Sequence, residues 1–278
     1  MTEFPRTSRL LARQTSYQML TIWRIPVAFF FTLVLPLIML VLFNALFGDD
    51  IIVTDEGSWK ASQFYTGGLA AFTAVSATYT NLANMVPIRR DEGVLKRWRG
   101  TPLPTSLYMA GFVASAVVIA LAAVVLMLTL GYLVYDLEIV WAKMPAAAVT
   151  FVVGVSAFAA LGLALASVVK SASSASAAAN ATLLPLAFVS NIFISLDDDS
   201  PEWLKRIGDF FPLKPFAEAF QNCFMPFVDP PAFSWDKLAF VALWGVAGAV
   251  VAVRNFSWEP SGSAPRGRRS KSKANSSA

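Results

Sequence analysis

The sequence predicts an all-α integral membrane protein with six transmembrane helices, and three observations support this fold class. Of its 278 residues, 56% are hydrophobic and only 14% are charged, whereas soluble domains are about one quarter charged. Six stretches contain no Asp, Glu, Lys or Arg, and five of them exceed the roughly 20 apolar residues that cross a bilayer. The basic residues are concentrated in alternate connecting segments. This pattern argues against a water-soluble enzyme.

The apolar stretches set the predicted domain limits. The spans are predicted at about residues 27–47, 62–86, 105–134, 144–168, 172–196 and 237–254. The sixth stretch is short, but Trp235 and the aliphatic stems of Lys237 and Arg254 can extend it. The first stretch is too long for the apolar region of a signal peptide, so we expect it to stay in the mature protein. Residues 1–24 are then an N-terminal segment, 25–256 a transmembrane domain and 257–278 a disordered basic tail.

The distribution of charge predicts the orientation in the membrane. Segments 1–24, 89–99 and 254–278, together with Lys170, hold 16 of the 22 Lys and Arg residues, and the remaining segments hold 14 of the 18 acids. Basic residues stay on the cytoplasmic side. We therefore expect a multi-pass protein of the plasma (inner) membrane with both termini in the cytoplasm.

The N-terminal segment predicts an amphipathic helix that lies on the membrane surface. At about 100° per residue, basic and apolar residues of the stretch 9–24 fall into different sectors. The basic sector holds Arg9, Arg13 and Arg24, and the apolar sector holds Leu11, Met19, Ile22 and Trp23. A frayed basic leader that only fixes the topology is the alternative.

A short charged helix is predicted over residues 91–99, between spans 2 and 3. Asp91 and Glu92 would open it, where acids suit the positive end of the helix dipole, and Lys96, Arg97 and Arg99 would close it. Gly100 and Pro102 end the pattern. Such a helix can dock into a groove of a cytoplasmic partner, or it can be a basic loop that happens to be helical.

The residue inventory limits the chemistry of this chain. There is no histidine and one cysteine, Cys223, which removes the commonest general base and metal ligand as well as disulfides within the chain. No phosphate-binding Gly-Lys motif is present. We predict no catalytic residue, no metal and no cofactor, and any ATP chemistry must belong to another polypeptide.

The outer segment 197–237 carries two aromatic stripes at helical spacing. A helix is predicted to start at Ser200 and Pro201. The first stripe holds Trp203, Ile207, Phe210 and Phe211, and the second holds Phe216, Phe220 and Phe224. The segment forms either helices that re-enter the outer leaflet or a small folded cap, and in both cases the aromatics serve packing.

Polar residues inside the spans are uncharged. Asn81, Asn84 and Asn180 either line a pathway or make hydrogen bonds between helices. Proton- and sodium-coupled carriers bury charged residues, and none lies within the six uncharged stretches. The Ala, Gly and Ser residues of the fourth span, among them Gly154 and Gly162, predict close helix packing.

Several motifs resemble those of ABC-2 type transporter permeases. The run RDEGVLKRWRGTPL (residues 90–103) resembles the family signature between the second and third spans. WRIP (23–26) is similar to the entry into its first span. PEWL (201–204) and FPLKPF (211–216) resemble the loop of its drug- and lipid-exporting branch, that of daunorubicin-resistance membrane subunits.

The resemblance implies one half of an ABC exporter that contributes to efflux and drug resistance. Two permease chains, identical or different, would pair with separate ATP-binding subunits that hold ATP and Mg²⁺, and lipid rather than nucleic acid would surround them. The coupling helix would contact that partner; its residues are Asp91, Glu92, Gly93, Leu95, Lys96, Arg97 and Trp98. Re-entrant helices would cover the exit. Alternatives are a polysaccharide or glycan-lipid exporter, an ATP-independent carrier, and a scaffold or immunity protein.

Overall fold

The computed structural model describes residues 7–23, 34–54, 57–94, 105–194 and 200–255, which are almost entirely helical. The first helices are α1 (Thr7–Trp23), α2 (Leu35–Phe47), α3 (Ala61–Val75), α4 (Asn81–Asp91) and α5 (Thr105–Val134). The later ones are α6 (Met144–Val168), α7 (Ala172–Phe188), α8 (Glu202–Phe210), α9 (Leu213–Asn222) and α10 (Trp235–Asn255). The all-α fold class is thus confirmed.

Three stretches among the described residues are helical, long and apolar enough to cross a membrane. They are Met109–Val134, Trp141–Val168 and Trp235–Asn255. Helix α2 is apolar but shorter, and residues 24–33, where the first span is predicted to begin, lie outside the described residues. Helices also occupy the second and fifth predicted spans, but the former is interrupted and the latter is short.

Contacts along the chain show that successive long helices run in alternating directions. The start of α3 lies against the end of α5, because a Cβ at Gly131 would touch Thr66. Helices α6 and α10 are parallel, since Gly245 meets Ala157 and Gly248 meets Leu161 one turn further on. One end of the bundle carries Arg90 and Asp91. We call it the Arg90 end, and the opposite one the hairpin end.

A two-stranded antiparallel hairpin leads into α3. Strands β1 (Ile51–Thr54) and β2 (Gly57–Lys60) pair Ile51 with Lys60. Trp59 is the buried residue of β2, and its ring meets Phe64 and Phe227 edge to face at 5.5 and 6.1 Å. This hairpin was not predicted from the sequence.

The second predicted span is one continuous rod with a π-helical interruption. Residues Ser76–Thr80 form a π-helix between α3 and α4. Almost every side chain of α3 is buried, whereas α4 is buried on one side only. A π segment holds one extra residue per turn and often marks a functional position.

Small residues hold α6 against its neighbours, as the sequence predicts. A Cβ added at Gly154 would overlap the Phe216 ring, and one at Gly162 would lie 2.6 Å from the Tyr79 carbonyl oxygen. Both glycines are buried. Close approach at small residues is the usual means of packing helices in a membrane.

Helix α7 ends at Phe188, eight residues before the predicted limit of the fifth span. Asn191 adopts a left-handed conformation with φ of 58°, which asparagine tolerates better than most residues. The turn brings Phe193 back against Phe43 and Phe72, with ring centroids 5.9 and 5.2 Å apart. The physical reason for the early end is therefore a reversal of the chain at Asn191.

Helix α1 is present, and two glutamines are the buried side chains within its described part. Gln14 and Gln18 are 9% and 4% exposed, and Gln14 lies against Gly111 near the start of α5. Arg13 is exposed and Met19 is half-buried, whereas the side chains of Arg9, Leu11, Ile22 and Trp23 and all of Arg24 lie outside the described part. The absence of a side chain at Gly111 lets the long Gln14 stem pack there.

Candidate functional site: the Arg90 end and the α4–α7 face

The segment that follows α4 begins differently from the prediction. Asp91 is the last residue of α4 rather than the first of a new helix, and Glu92 is in a turn. Gly93 has φ of +70° and donates its N–H to the Arg90 carbonyl at 3.0 Å. Only glycine adopts this left-handed conformation freely, so it terminates the helix.

The acidic pair is followed, after Gly93, by Val94, which is helical and is the last described residue before position 105. Glu92 is half exposed, and its carboxylate lies 3.5 Å from the Arg89 guanidinium. The remaining predicted coupling residues, Leu95, Lys96, Arg97 and Trp98, lie outside the described residues.

Arg90 and Asp91 contact two other helix ends, which the sequence did not predict. The Arg90 guanidinium donates to the carbonyl oxygens of Val169 at 2.7 Å and Ala166 at 3.4 Å, at the end of α6. The Asp91 carboxylate accepts the backbone N–H of Ala172 at 2.9 Å, at the start of α7. The sequence around Arg90 and Asp91 did not indicate that these adjacent residues contact different helices.

The three asparagines predicted as pathway residues lie on two helices that pack together. Asn81 and Asn84 are half-buried on α4, and Asn180 is exposed on α7, where it donates to the carbonyl of Ser176 at 3.0 Å. Among these described side chains, no hydrogen bond joins α4 to α7. The Asn84 side-chain oxygen is buried without a partner in the described structure.

A pair that was not predicted from the sequence links α7 to the π segment before α4. The hydroxyl groups of Tyr79 and Thr182 lie 2.7 Å apart, and Thr182 also donates to the Ala178 carbonyl at 2.8 Å. Tyr79 belongs to the π segment, which turns it toward α7. The exposed face of α7 beside this pair is uncharged; it holds Ser173, Ser174, Ala177, Asn180, Ala181, Leu184 and Phe188.

At the hairpin end, the two predicted aromatic stripes have different environments. Phe216, Phe220 and Phe224 are at most 2% exposed, which confirms that they serve packing. Trp203 and Phe210 of α8 are instead 63% exposed, although Phe210 also touches the Trp244 ring edge at 5.7 Å. Helix α8 thus presents an apolar face outward.

Helix α9 is fixed in the bundle by a buried amide. Gln221 is fully buried, and its Nε2 donates to the carbonyls of Asn191 at 3.1 Å and Phe64 at 3.4 Å. Lys143 is also buried and donates to the Met225 carbonyl at 2.6 Å. These bonds tie the outer segment to α3, to the end of α7 and to the start of α6.

Charged side chains of the outer segment pair with one another on its polar side. Lys214 reaches the Asp209 carboxylate at 2.6 Å, and Lys237 reaches that of Glu218 at 2.7 Å. Burial raises the pKa of the Cys223 thiol to about 11, so the thiol stays protonated and unreactive at neutral pH. No group of side chains that could hold a metal ion occurs within the described residues.

Comparison with known proteins identifies the family. The family model for ABC-2 type transporters matches residues 10–225. The chain therefore belongs to the ABC-2 type transporter family, as its motifs predicted. Permeases of this family are membrane subunits for transport, are not themselves catalytic and normally work with an ATP-binding subunit. A search of curated proteins finds no match.

Proposed function

We propose that this chain is the membrane-spanning half of an ATP-driven exporter of hydrophobic drugs, lipids or similar amphiphiles. The observation that supports this most is the course of the rod formed by α3, the π segment and α4. It places Tyr79 against α7 in its middle and ends at Asp91, directly before the charged segment that resembles a coupling helix. One rigid element thus joins the partner-binding segment to the face of α7.

In this proposal the Arg90 end is cytoplasmic, both termini lie on that side of the plasma membrane and six helices span it. The charge distribution supports this orientation. Two copies, or this chain and a related one, would enclose a pathway between the faces of α4 and α7. ATP and Mg²⁺ would be bound by the partner subunit.

The cargo class follows from the lining that we propose. The exposed face of α7 offers apolar side chains, from alanines to Leu184 and Phe188, together with amide and hydroxyl groups, and no charge. Such a surface suits an amphiphile, because an uncharged lining cannot compensate a buried ionic group. The outer helices α8 and α9 would close the pathway at the hairpin end, where Gln221 holds them.

The partner assignment is tested by purification of the tagged chain in mild detergent from cells that express its ATP-binding subunit. We expect that subunit to accompany the unaltered chain. Glu92→Lys should reduce its recovery at least about tenfold, because charge reversal at a docking segment opposes its complementary surface. Glu138→Lys is the matched control, since Glu138 is exposed at the hairpin end.

Recovery of the subunit with Glu92→Lys at the level of the unaltered chain would contradict the role of Glu92. Its absence from the unaltered chain, even after chemical crosslinking, would contradict the ATP-driven mechanism and favour an ATP-independent carrier.

In this proposal Tyr79 and Thr182 border the pathway. The substitution Thr182→Val, which removes the hydroxyl but keeps the shape, tests this role. A hydrogen bond between membrane helices contributes only about 0.6 kcal/mol on average, so stability should change little. We expect the ratio of ATP-dependent efflux of ethidium to that of Nile red to change by about two- to fivefold, because the polarity of the lining changes.

Thr129→Val is the control for this substitution. Thr129 is exposed on α5 and donates to its own helix, to the Val125 carbonyl at 2.7 Å. An equal change of the efflux ratio in both variants would show that Thr182 has no special position.

A further inference from the structure

Two adjacent residues at the end of α4 hold the ends of two other helices. Arg90 donates to Val169 at 2.7 Å and to Ala166 at 3.4 Å, and Asp91 accepts from Ala172 at 2.9 Å. Only residues 169–171, which we call the α6–α7 turn, separate the two helices. We call the arrangement of Arg90 and Asp91 on this turn the clamp.

The chemistry of each contact suits the helix end that it meets. The last four carbonyls of a helix lack partners within the helix, as do the first four N–H groups. The carbonyl end of α6 carries partial negative charge and receives the Arg90 cation, whereas the N–H end of α7 carries partial positive charge and receives the Asp91 anion. Exchange of the two residues would place each charge at the wrong helix end.

The clamp differs from an ion pair on the surface. Arg90 is 4% exposed, and its nearest carboxylate among the described residues, that of Asp91, is 3.9 Å away, beyond hydrogen-bond distance. Its direct hydrogen bonds are therefore with the end of α6. A buried guanidinium that loses its hydrogen bonds is left as an uncompensated charge. Separation of α4 from the end of α6 would therefore cost a large amount of free energy.

Asp91 and Ser171 both cap α7, but they do so from different parts of the fold. The Ser171 Oγ accepts the Ser174 N–H at 3.2 Å from the residue next to the helix, whereas Asp91 accepts the Ala172 N–H from α4. What Asp91 adds is a connection between α7 and α4. This connection lies one residue before Glu92, where the proposed contact with the ATP-binding subunit begins.

We propose that Arg90 and Asp91 are positioning residues that carry the displacement of the coupling segment into the α6–α7 turn. When the ATP-binding partner pushes on the segment after Gly93, α4 moves the start of α7 and the end of α6 as one unit. The exposed face of α7 then changes its orientation in step with ATP binding. This inference rests on the proposed function and adds the residues that connect the partner to α7.

The test uses the full chain in complex with its ATP-binding subunit, with a reporter cysteine at Ala181, an exposed residue of α7. The labelling rate by N-ethylmaleimide is measured with and without ATP and vanadate. The native Cys223 is fully buried and gives no background. Three variants are compared in this chain: Asp91→Ala, Asp91→Asn and, as matched control, Ser171→Ala.

We expect ATP and vanadate to change the labelling rate at least about fivefold in the unaltered complex, as for a typical coupling between sites. Asp91→Ala should abolish this change while the ATP-binding subunit stays bound and still hydrolyses ATP. Asp91→Asn keeps an acceptor oxygen for the Ala172 N–H and should retain most of the change. Ser171→Ala weakens the same helix end without breaking the connection to α4, so its response should match that of the unaltered chain.

Two results would overturn the inference: an undiminished response in Asp91→Ala, or an equal loss in Ser171→Ala, which would reduce the role of Asp91 to helix capping. Failure of the proposed function is recognised separately, because then no ATP-binding subunit purifies with the unaltered chain. The clamp inference alone fails when the subunit is bound, the reporter responds to ATP and the Asp91→Ala variant responds equally.

Discussion

Replacement of Gly154 by alanine is expected to lower the melting temperature of the detergent-solubilised protein by about 5–10 °C. The added methyl group would overlap ring carbons of Phe216, which is fully buried. Overpacking of this kind costs about 1–3 kcal/mol, and each kcal/mol shifts the melting temperature by about 2–4 °C in a chain of this size. Fluorescence-detected thermal unfolding measures the shift.

A double variant separates overpacking from a general weakness of α6. Phe216→Ala alone should also destabilise the protein, because it opens a cavity. In the double variant the truncated side chain at position 216 makes room for the methyl group added at position 154, so the two losses should not add. Ser156→Thr adds a methyl group on the exposed side of α6 and should leave the melting temperature unchanged; strictly additive losses would contradict the contact.

Replacement of Gly162 by alanine should destabilise the protein about as strongly, but no single truncation should rescue it. The new methyl group would meet three backbone atoms of Tyr79, the carbonyl oxygen at 2.6 Å and the two carbons at 3.1 and 3.2 Å. Rotamer changes cannot relieve a backbone clash, so the π segment must move away from α6. We expect a fall of about 5–10 °C in melting temperature together with a loss of ATP-dependent efflux.

Tyr79→Ala in the Gly162→Ala background provides the decisive comparison. It removes the side chain but none of the three obstructing atoms, and the melting temperature should stay low. Recovery of stability in this double variant would show that the contact between α6 and the π segment is made by side chains.

Most helix positions could be predicted because the sequence carries long uncharged runs. Helices α5 and α6 occupy the residues predicted for the third and fourth spans, since charged loops bound these runs at both ends. The limit of the fifth predicted span was wrong because residues 189–194 are uncharged whether they continue a helix or fold back. The backbone conformation at Asn191 decides whether the helix continues or the chain folds back, and hydropathy carries no information about that conformation.

The candidate site was predictable in its residue types and less so in its connections. The charged run after span 2 predicted a partner-binding segment, and Asp91 and Glu92 were placed at the start of a helix because acids favour helix N-termini. Asp91 does meet a helix N-terminus, that of α7, which lies 81 residues further along the chain. Contacts over such separations, including the one between Tyr79 and Thr182, leave no periodic pattern in one sequence.

The π segment has a consequence for how this protein can change over evolutionary time. An extra residue rotates everything that follows it by about 100° around the helix axis. Deletion of one residue within Ser76–Thr80 would therefore leave α3 in its packing and swing the whole of α4, with Arg90 and Asp91, about a quarter of a circle away from its present contacts. The contacts of α4 therefore depend on the number of residues in this segment, and the deletion of a single codon would be enough to separate the packing of α3 from that of α4.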